Sequence, residues 1–262
     1  MALITLDIRD GLATLTLNRP DKLNSLNLAM HAELASALDR VEATTTLRCL
    51  WLRANGRAFC VGQDLEERRA LLDNSAPPDL GESLEQRYNP LIRRLSQLHC
   101  PTLCSVTGAA AGAGVGLALA CDIVIAARSA RFIFAFSRLG LGPDAGTSYR
   151  LPKLIGDARA RGLMLLGEEL DAATAMEWGL IWSCLDDEKI DTSGEKIAHQ
   201  LAQAPTRGLN LCRQALSASG QNTLNDQLDL ERDLQRQAGR TDDYREGITA
   251  FFEKRTAHFT GS

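Results

Sequence analysis

An aspartate at position 144 follows Gly142-Pro143 and precedes Ala145-Gly146, where a turn of small residues leads into a predicted helix. Just upstream lie Phe132, Ile133, Phe134 and Phe136, enough apolar surface to wall the carboxylate. A carboxylate against such a wall loses hydration, its pKa rises, and it becomes a competent general base. An aspartate at the same place also serves as a helix N-cap, and the residues alone leave both uses open.

Two glycine-bearing turns accompany it. One is Ala58-Phe59-Cys60-Val61-Gly62-Gln63-Asp64-Leu65, directly after a predicted strand. The other runs from Gly108 to Leu117 and includes Gly112-Ala113-Gly114, where a strand hands over to a helix. Glycines let backbone approach a ligand closely, and a helix N-terminus leaves peptide N–H groups unpaired and pointing outward. Close packing of a helix on a strand uses the same residues. The Gly-x-Gly in the second turn lacks the further spacing and the acidic ribose partner of a dinucleotide site. His99-Cys100-Pro101-Thr102-Leu103-Cys104 hints at a metal, but its prolyl break and the lack of a second ligand pair argue against zinc. No metal is expected. His31, His199 and His258 are isolated and read as surface or helix-packing residues.

The elements that must position these groups alternate between strand and helix. Two period-2 runs flank Asp10-Gly11, a hairpin signal, because that dipeptide accepts positive φ. Asn27 is placed to cap a helix carrying Met30, Leu34, Leu38 and Val41 at helical spacing. Leu47–Leu52, Thr102–Val106, Asp122–Ala126 and Arg131–Ala135 read as strands, and Glu82–Leu98 as a helix with Tyr88, Leu91, Leu95 and Leu98 on one face. After about Asp157 helix dominates, with Trp182–Leu185 the exception. The expected plan is an α/β core over residues 1–200 and a helical region over residues 201–262. Asn74–Gly81 is the most loop-like stretch, either a solvated connection or a lid over a cavity.

Composition narrows the function classes. The 262 residues carry a formal net charge of -4, so no global basic field draws in nucleic acid. The seven cysteines are odd in number, scattered, and mostly inside apolar runs, which fits reduced thiols rather than a disulfide framework. The N-terminal residues lack a basic region followed by a long apolar one, and no run approaches the roughly 18 apolar residues of a membrane span. A cytoplasmic location without membrane association is expected.

Taken in order, the motifs resemble one family. Phe59-x-x-Gly62-x-Asp64-Leu65 is followed by Gly108-x-x-x-Gly112-x-Gly114, with Cys121-Asp122 soon after, and by Leu139-Gly140-x-x-Pro143-Asp144-x-Gly146. This series is similar to that of the crotonase (enoyl-CoA hydratase/isomerase) superfamily. The resemblance extends from Leu17-Asn18-Arg19-Pro20 to Glu253-Lys254-Arg255. It implies a spiral of ββα units with a helical C-terminal trimerisation region, trimers pairing into hexamers, and a coenzyme A thioester as substrate. An accompanying hydratase-like partner is a further expectation.

Matched by position, the resemblance assigns an oxyanion hole to the backbone N–H groups of Gln63 and Ala113, donors suited to a thioester oxygen that gains charge when the adjacent carbon is deprotonated. It places Lys22, Leu23, Gly62, Asp64, Leu65 and Glu66 near the coenzyme A moiety. Gly112, Phe134 and Phe136 complete the expected substrate pocket. Hydratases of the family carry two glutamates where this chain has Gly116 and Phe136. Water addition is therefore disfavoured; restoring both acids is expected either to create some hydratase activity or to destabilise the fold through buried charge. Asp144 stands where isomerase-like members carry an acidic base, and one carboxylate suffices to move a proton between carbons. No separate cofactor is needed, since coenzyme A is part of the substrate.

A narrower resemblance is to members that convert a ring-epoxide of phenylacetyl-CoA to an oxepin. It is carried by Leu23–Asn27, Pro78–Gly81, Tyr88–Leu91, Ala135–Gly140, Gln227–Asp233 and Asp243–Gly247. Thr147 departs from it, a second glycine being usual after Gly146, so the turn beside Asp144 is expected to differ. The alternatives are an isomerase of aliphatic enoyl-CoA double bonds, and a catalytically silent partner subunit of a hydratase. A hydrolase or dehalogenase using Asp144 as nucleophile lacks a histidine base near the motifs.

Overall fold

Asp10 and Gly11 take φ of 50° and 75°. This double left-handed step matches the twist of the strands it joins, and Ile4–Arg9 (β1) pairs antiparallel with Leu12–Leu17 (β2), Ile4 opposite Leu17. The computed structural model describes residues 2–72 and 79–262. The expected loop therefore lies outside the described residues over positions 74–78. Its end is described: the Asp79 side chain accepts from the Glu82 backbone N–H and caps a short helix.

After the hairpin, Asn27 caps Leu28–Ala43 (α1) by accepting from the Met30 N–H, and Met30, Leu34, Leu38 and Val41 are buried as their spacing predicts. Cys49–Ala54 (β3) and Ala58–Cys60 (β4) follow, then Leu65–Leu72 (α2). The helix expected over Glu82–Leu98 is broken into three. Leu80–Ser83 (α3) leads into a π turn, Leu84–Tyr88, and then Asn89–Gln97 (α4). Asn89 donates to the Leu84 carbonyl five residues back. Pro90, next in line, has no N–H to give the preceding turn. Tyr88, Leu91, Leu95 and Leu98 are nonetheless all buried.

Thr102–Val106 (β5), Ala109–Ala111 (β6), Ala113–Leu119 (α5), Ile123–Ala127 (β7) and Arg131–Ile133 (β8) build the centre. Thr147–Ile155 (α6), Asp157–Leu166 (α7), Glu169–Asp171 (β9), Ala172–Glu177 (α8) and Ser183–Leu185 (β10) follow. Ile190–Gln203 (α9), Thr206–Ser219 (α10), Leu224–Ala238 (α11) and Asp242–Glu253 (α12) complete the chain.

The strands alternate between two sheets. One has the order β1-β2-β3-β5-β7-β10, the other β4-β6-β8-β9. Each successive pair, β3/β4, β5/β6 and β7/β8, places its first strand in the larger sheet and its second in the smaller, as a spiral of ββα units requires. Pairing from β2 to β10 is parallel. The central strands β3, β5 and β7 of the larger sheet are buried on both faces. One face packs on the main core with Leu15, Leu50 and Cys104; the other carries Trp51, Leu103 and Ile125 under α9. That double burial explains why these strands read as continuous apolar runs rather than alternating ones.

Candidate active site

The first turn is locked by backbone bonds on either side of Gln63. Leu26 donates to the Gly62 carbonyl at 2.7 Å and Asp64 to the Leu26 carbonyl at 3.0 Å. Among the described residues the N–H of Gln63 itself has no partner. Gly62 has φ 82°, and a Cβ there would lie 2.8 Å from the Ala111 carbonyl oxygen and 3.4 Å from the Ala113 nitrogen. The two glycine turns thus abut, and only glycine allows it.

Gly112, with φ 52°, opens α5, and the N–H of Ala113 behind it is also without a partner among the described residues. A Cβ on Gly114 would stand 2.1 Å from the Cys60 carbonyl oxygen, so this glycine seats α5 directly on β4. Both predicted donors therefore sit on neighbouring turns, unengaged.

Asp144 is half-buried, and its Oδ1 is buried without a hydrogen-bond partner among the described residues. Its side chain caps nothing: Gly146 is the N-cap of α6, with no side-chain capping bond. Burial pushes the carboxyl up to about 6 from its ordinary 3.8, opposed by the smaller pull of the Arg68 guanidinium. The turn beneath is tightly held. Ala145 and Gly146 take φ of 50° and 75°, and Thr147 donates to the Asp144 carbonyl through both its N–H (2.9 Å) and its Oγ1 (2.6 Å). The departure at Thr147 therefore ties the turn down rather than loosening it.

Several expectations need correction. Asp64 is not available to a ligand. It is 5% exposed, forms an ion pair with Arg19 at 2.5 Å, and accepts from the backbone of Glu66 at 3.0 Å, so its carboxylate fixes the turn that aims Gln63. Phe134 is fully buried in the main core, with no surface left for a substrate. Phe136 is the aromatic ring at the site, 3.8 Å from the point where a Cβ on Gly112 would stand. Gly116 has no room for the glutamate of the hydratases, since a Cβ there would meet the Ala145 Cβ and carbonyl oxygen, each at 2.5 Å. Lys22 bonds Glu66 at 2.7 Å across the rim, both partly exposed. Leu23 takes φ 52°, and Leu65 is exposed beside them. Arg68 is a charged neighbour of Asp144 that no motif revealed. A groove of about 290 Å³ beside α1, lined by Leu28, His31, Arg87 and Leu91 among others, includes none of the candidate residues.

The chemistry this allows is proton abstraction next to a carbonyl, with the developing oxyanion taken by two preorganised N–H groups. The acting form of the base is the carboxylate, so kcat/KM should rise with pH through about 6 as one ionisation and then level off. A pH–rate profile checks this; constant activity down to about pH 4 would remove Asp144 from the role.

Residues 7–262 match the family described as enoyl-CoA hydratase/isomerase. The 1,2-epoxyphenylacetyl-CoA isomerase of Escherichia coli is 54% identical over 262 residues, covering 100% of this chain and 99% of that one. The trans-2-decenoyl-[acyl-carrier-protein] isomerase of Streptococcus mutans is 34% identical, covering 98% of each. Among solved structures, an enoyl-CoA hydratase/isomerase from Cupriavidus metallidurans superposes with a TM-score of 0.91 at 32% identity, covering 100% of this chain and 97% of that one.

Proposed function

From the premise that the chain belongs to the enoyl-CoA hydratase/isomerase family, we propose that it isomerises the ring-epoxide of phenylacetyl-CoA to an oxepin. The observation that carries this reading is the single unpartnered carboxylate of Asp144, in a chain 54% identical along its whole length to an isomerase of that ester. Asp144 takes a proton from the carbon next to the thioester. The electron pair moves onto the thioester oxygen, held by the N–H groups of Gln63 and Ala113. The carbon–carbon bond shared by the epoxide and the six-membered ring opens. The electron pair then returns through the conjugated ring, and the proton is delivered to a ring carbon.

The formula is unchanged, and no electrons pass to an acceptor, so the reaction as proposed needs no cofactor. With Gly116 and Phe136 where hydratases hold their acids, neither carboxylate that would activate water is present. Neither the aliphatic double-bond isomerase nor the silent partner subunit is favoured by an observation of its own. The test is a panel of CoA thioesters incubated with purified protein and read by mass spectrometry and ultraviolet absorbance. Turnover of the ring-epoxide with little hydration of crotonyl-CoA supports the reading. Brisk hydration, or inertness towards the ring-epoxide, contradicts it.

Assembly as a homotrimer or hexamer belongs to the same proposal, as does a cytoplasmic location; no helix among the described residues is long and apolar enough to cross a membrane. The helical region over residues 201–262 supplies the support. Leu224 (75%), Leu228 (53%), Phe251 (76%) and Phe252 (77%) are exposed rather than folded onto the chain's own core, whereas Leu234 is buried. Apolar patches of this kind mark interfaces. Deleting everything after Gln221 should give a monomeric or insoluble, inactive product, measured by size-exclusion chromatography with light scattering. A fully active full-length monomer would overturn the assembly.

A further inference from the structure

The helix face that follows the π turn meets the chain just after Asp144 at two points, one helical turn apart. Ser96 accepts from Arg150 Nη2 at 2.7 Å. Ile92, one turn earlier, has its Cγ2 3.6 Å from the position of a Cβ on Gly146. Tyr88 is one turn earlier again, and the backbone is helical through it, so it shares the face of Ile92 and Ser96. Asp144 stands two residues before Gly146, in the turn closed by the Thr147 N–H on the Asp144 carbonyl, so Tyr88 lies on the helix face that meets this segment.

Tyr88 is 3% exposed as a residue, and its hydroxyl makes no hydrogen bond to another described residue, so it is free to donate to a ligand. The ring is held in place: the His31 ring meets it edge-on, centroids 4.4 Å apart and planes at 72°. Burial pushes the His31 imidazole down to about 4, so it is a neutral buttress at pH 7. Burial, followed by the charges of Cys60 and Asp144, keeps the Tyr88 phenol protonated well above its ordinary range, so it can donate and does not serve as a base. The unpartnered Asp144 Oδ1 and the uncommitted Tyr88 hydroxyl thus belong to two segments that meet through Ile92 and Gly146.

We propose that Tyr88 is a specificity-determining residue whose hydroxyl donates a hydrogen bond to an oxygen carried on the ring of the acyl group. The site then selects oxygenated rings over apolar acyl chains that reach the same base. No bond of the phenol breaks; it orients the ring. The identity of that oxygen as the epoxide rests on the function proposed above.

The test compares full-length unmodified protein with Tyr88→Phe on two substrates. One is the ring-epoxide of phenylacetyl-CoA, followed as turnover. The other is phenylacetyl-CoA, which has the same acidic carbon and no ring oxygen, followed as deuterium uptake from heavy water by mass spectrometry. Removing an unpartnered hydroxyl should not lower the melting temperature. The expected result is a fall of about ten- to a hundredfold in kcat/KM for the epoxide, with deuterium uptake retained within about twofold. Equal losses on both substrates would reduce Tyr88 to a packing residue, and unchanged epoxide turnover would remove it from recognition; either overturns the proposal while leaving the substrate reading intact. Absence of epoxide turnover in the unmodified protein, with deuterium uptake present, overturns the substrate reading and this proposal with it.

Discussion

Asp144→Asn should lower turnover by at least about a hundredfold, the usual scale for loss of a general base, while making the protein more stable near pH 8. The first effect follows from the absence of another carboxylate at the two positions where hydratases have theirs, Gly116 and Phe136. The amide keeps the size and shape of the side chain and cannot accept the proton. The second effect follows from burial. The folded protein holds the Asp144 carboxyl at about 6, above its ordinary 3.8. A raised folded pKa means that the stabilising contribution is fully present below about pH 4 and is lost as pH rises through about 6. At pH 8 the ionised, half-buried carboxylate is therefore a burden of about 1–3 kcal/mol, which an asparagine does not carry. Initial rates and thermal melts at pH 4 and pH 8 check both parts. Near-normal isomerisation would sink the catalytic assignment. A variant less stable than its parent at pH 8 would mean that the carboxylate has a partner in solution.

Such a signature, activity gained at the expense of stability, was only half legible in the sequence. The hairpin at Asp10-Gly11 and the Asn27 cap could be read directly, because each rests on local backbone chemistry that tertiary contacts do not override. Strands β4 and β6, three residues each, could not: so short a run shows no periodicity, and both were hidden inside turns recognised for their glycines. The π turn before Tyr88 was invisible for a different reason. An apolar stripe at helical spacing survives the insertion of one wider turn, so the stripe predicted burial correctly and hydrogen bonding incorrectly.

The candidate site shows the same division. Asp144, Gln63 and Ala113 stand out by motif, since glycine and proline punctuate the turns that carry them. Asp64 belongs to the same motif and turns out to hold the loop through Arg19, because a motif records which residues recur together and not which of them faces the ligand. An aromatic run upstream of Asp144 does not tell which ring faces the cavity: Phe134 lies in the main core, while Phe136 lies against Gly112. The charge of Asp144 is felt by Tyr88 on the π turn and opposed by Arg68 on α2, across sequence separations of more than fifty residues that no local pattern encodes.

Gly116 is where the packing of this chain is least compatible with the glutamate of the hydratases, and it gives the second large effect. Gly116→Glu should yield little or no soluble folded protein and no gain of hydration, alone or with Phe136→Glu. Glycine inside a helix is unfavourable by about 1 kcal/mol relative to alanine, so its presence in α5 calls for a packing reason. That reason is Ala145, whose Cβ and carbonyl oxygen would each be 2.5 Å from a side chain at position 116. Ala145 is itself held at φ 50°, a conformation that non-glycine residues rarely adopt. It directly follows Asp144, so a displacement of Ala145 is a displacement of the base. Even Gly116→Ala, one methyl group, should cost about 1–3 kcal/mol through overpacking and reduce turnover by about tenfold or more, since misplacement by an ångström is enough for such a loss. A glutamate adds a buried charge with no partner to the same clash. Denaturant unfolding and initial rates on the alanine variant decide the matter. Gly116→Ala that is as stable and as active as its parent would mean that α5 and the Asp144 turn can part without consequence, and the glycine would then have no role in seating the base.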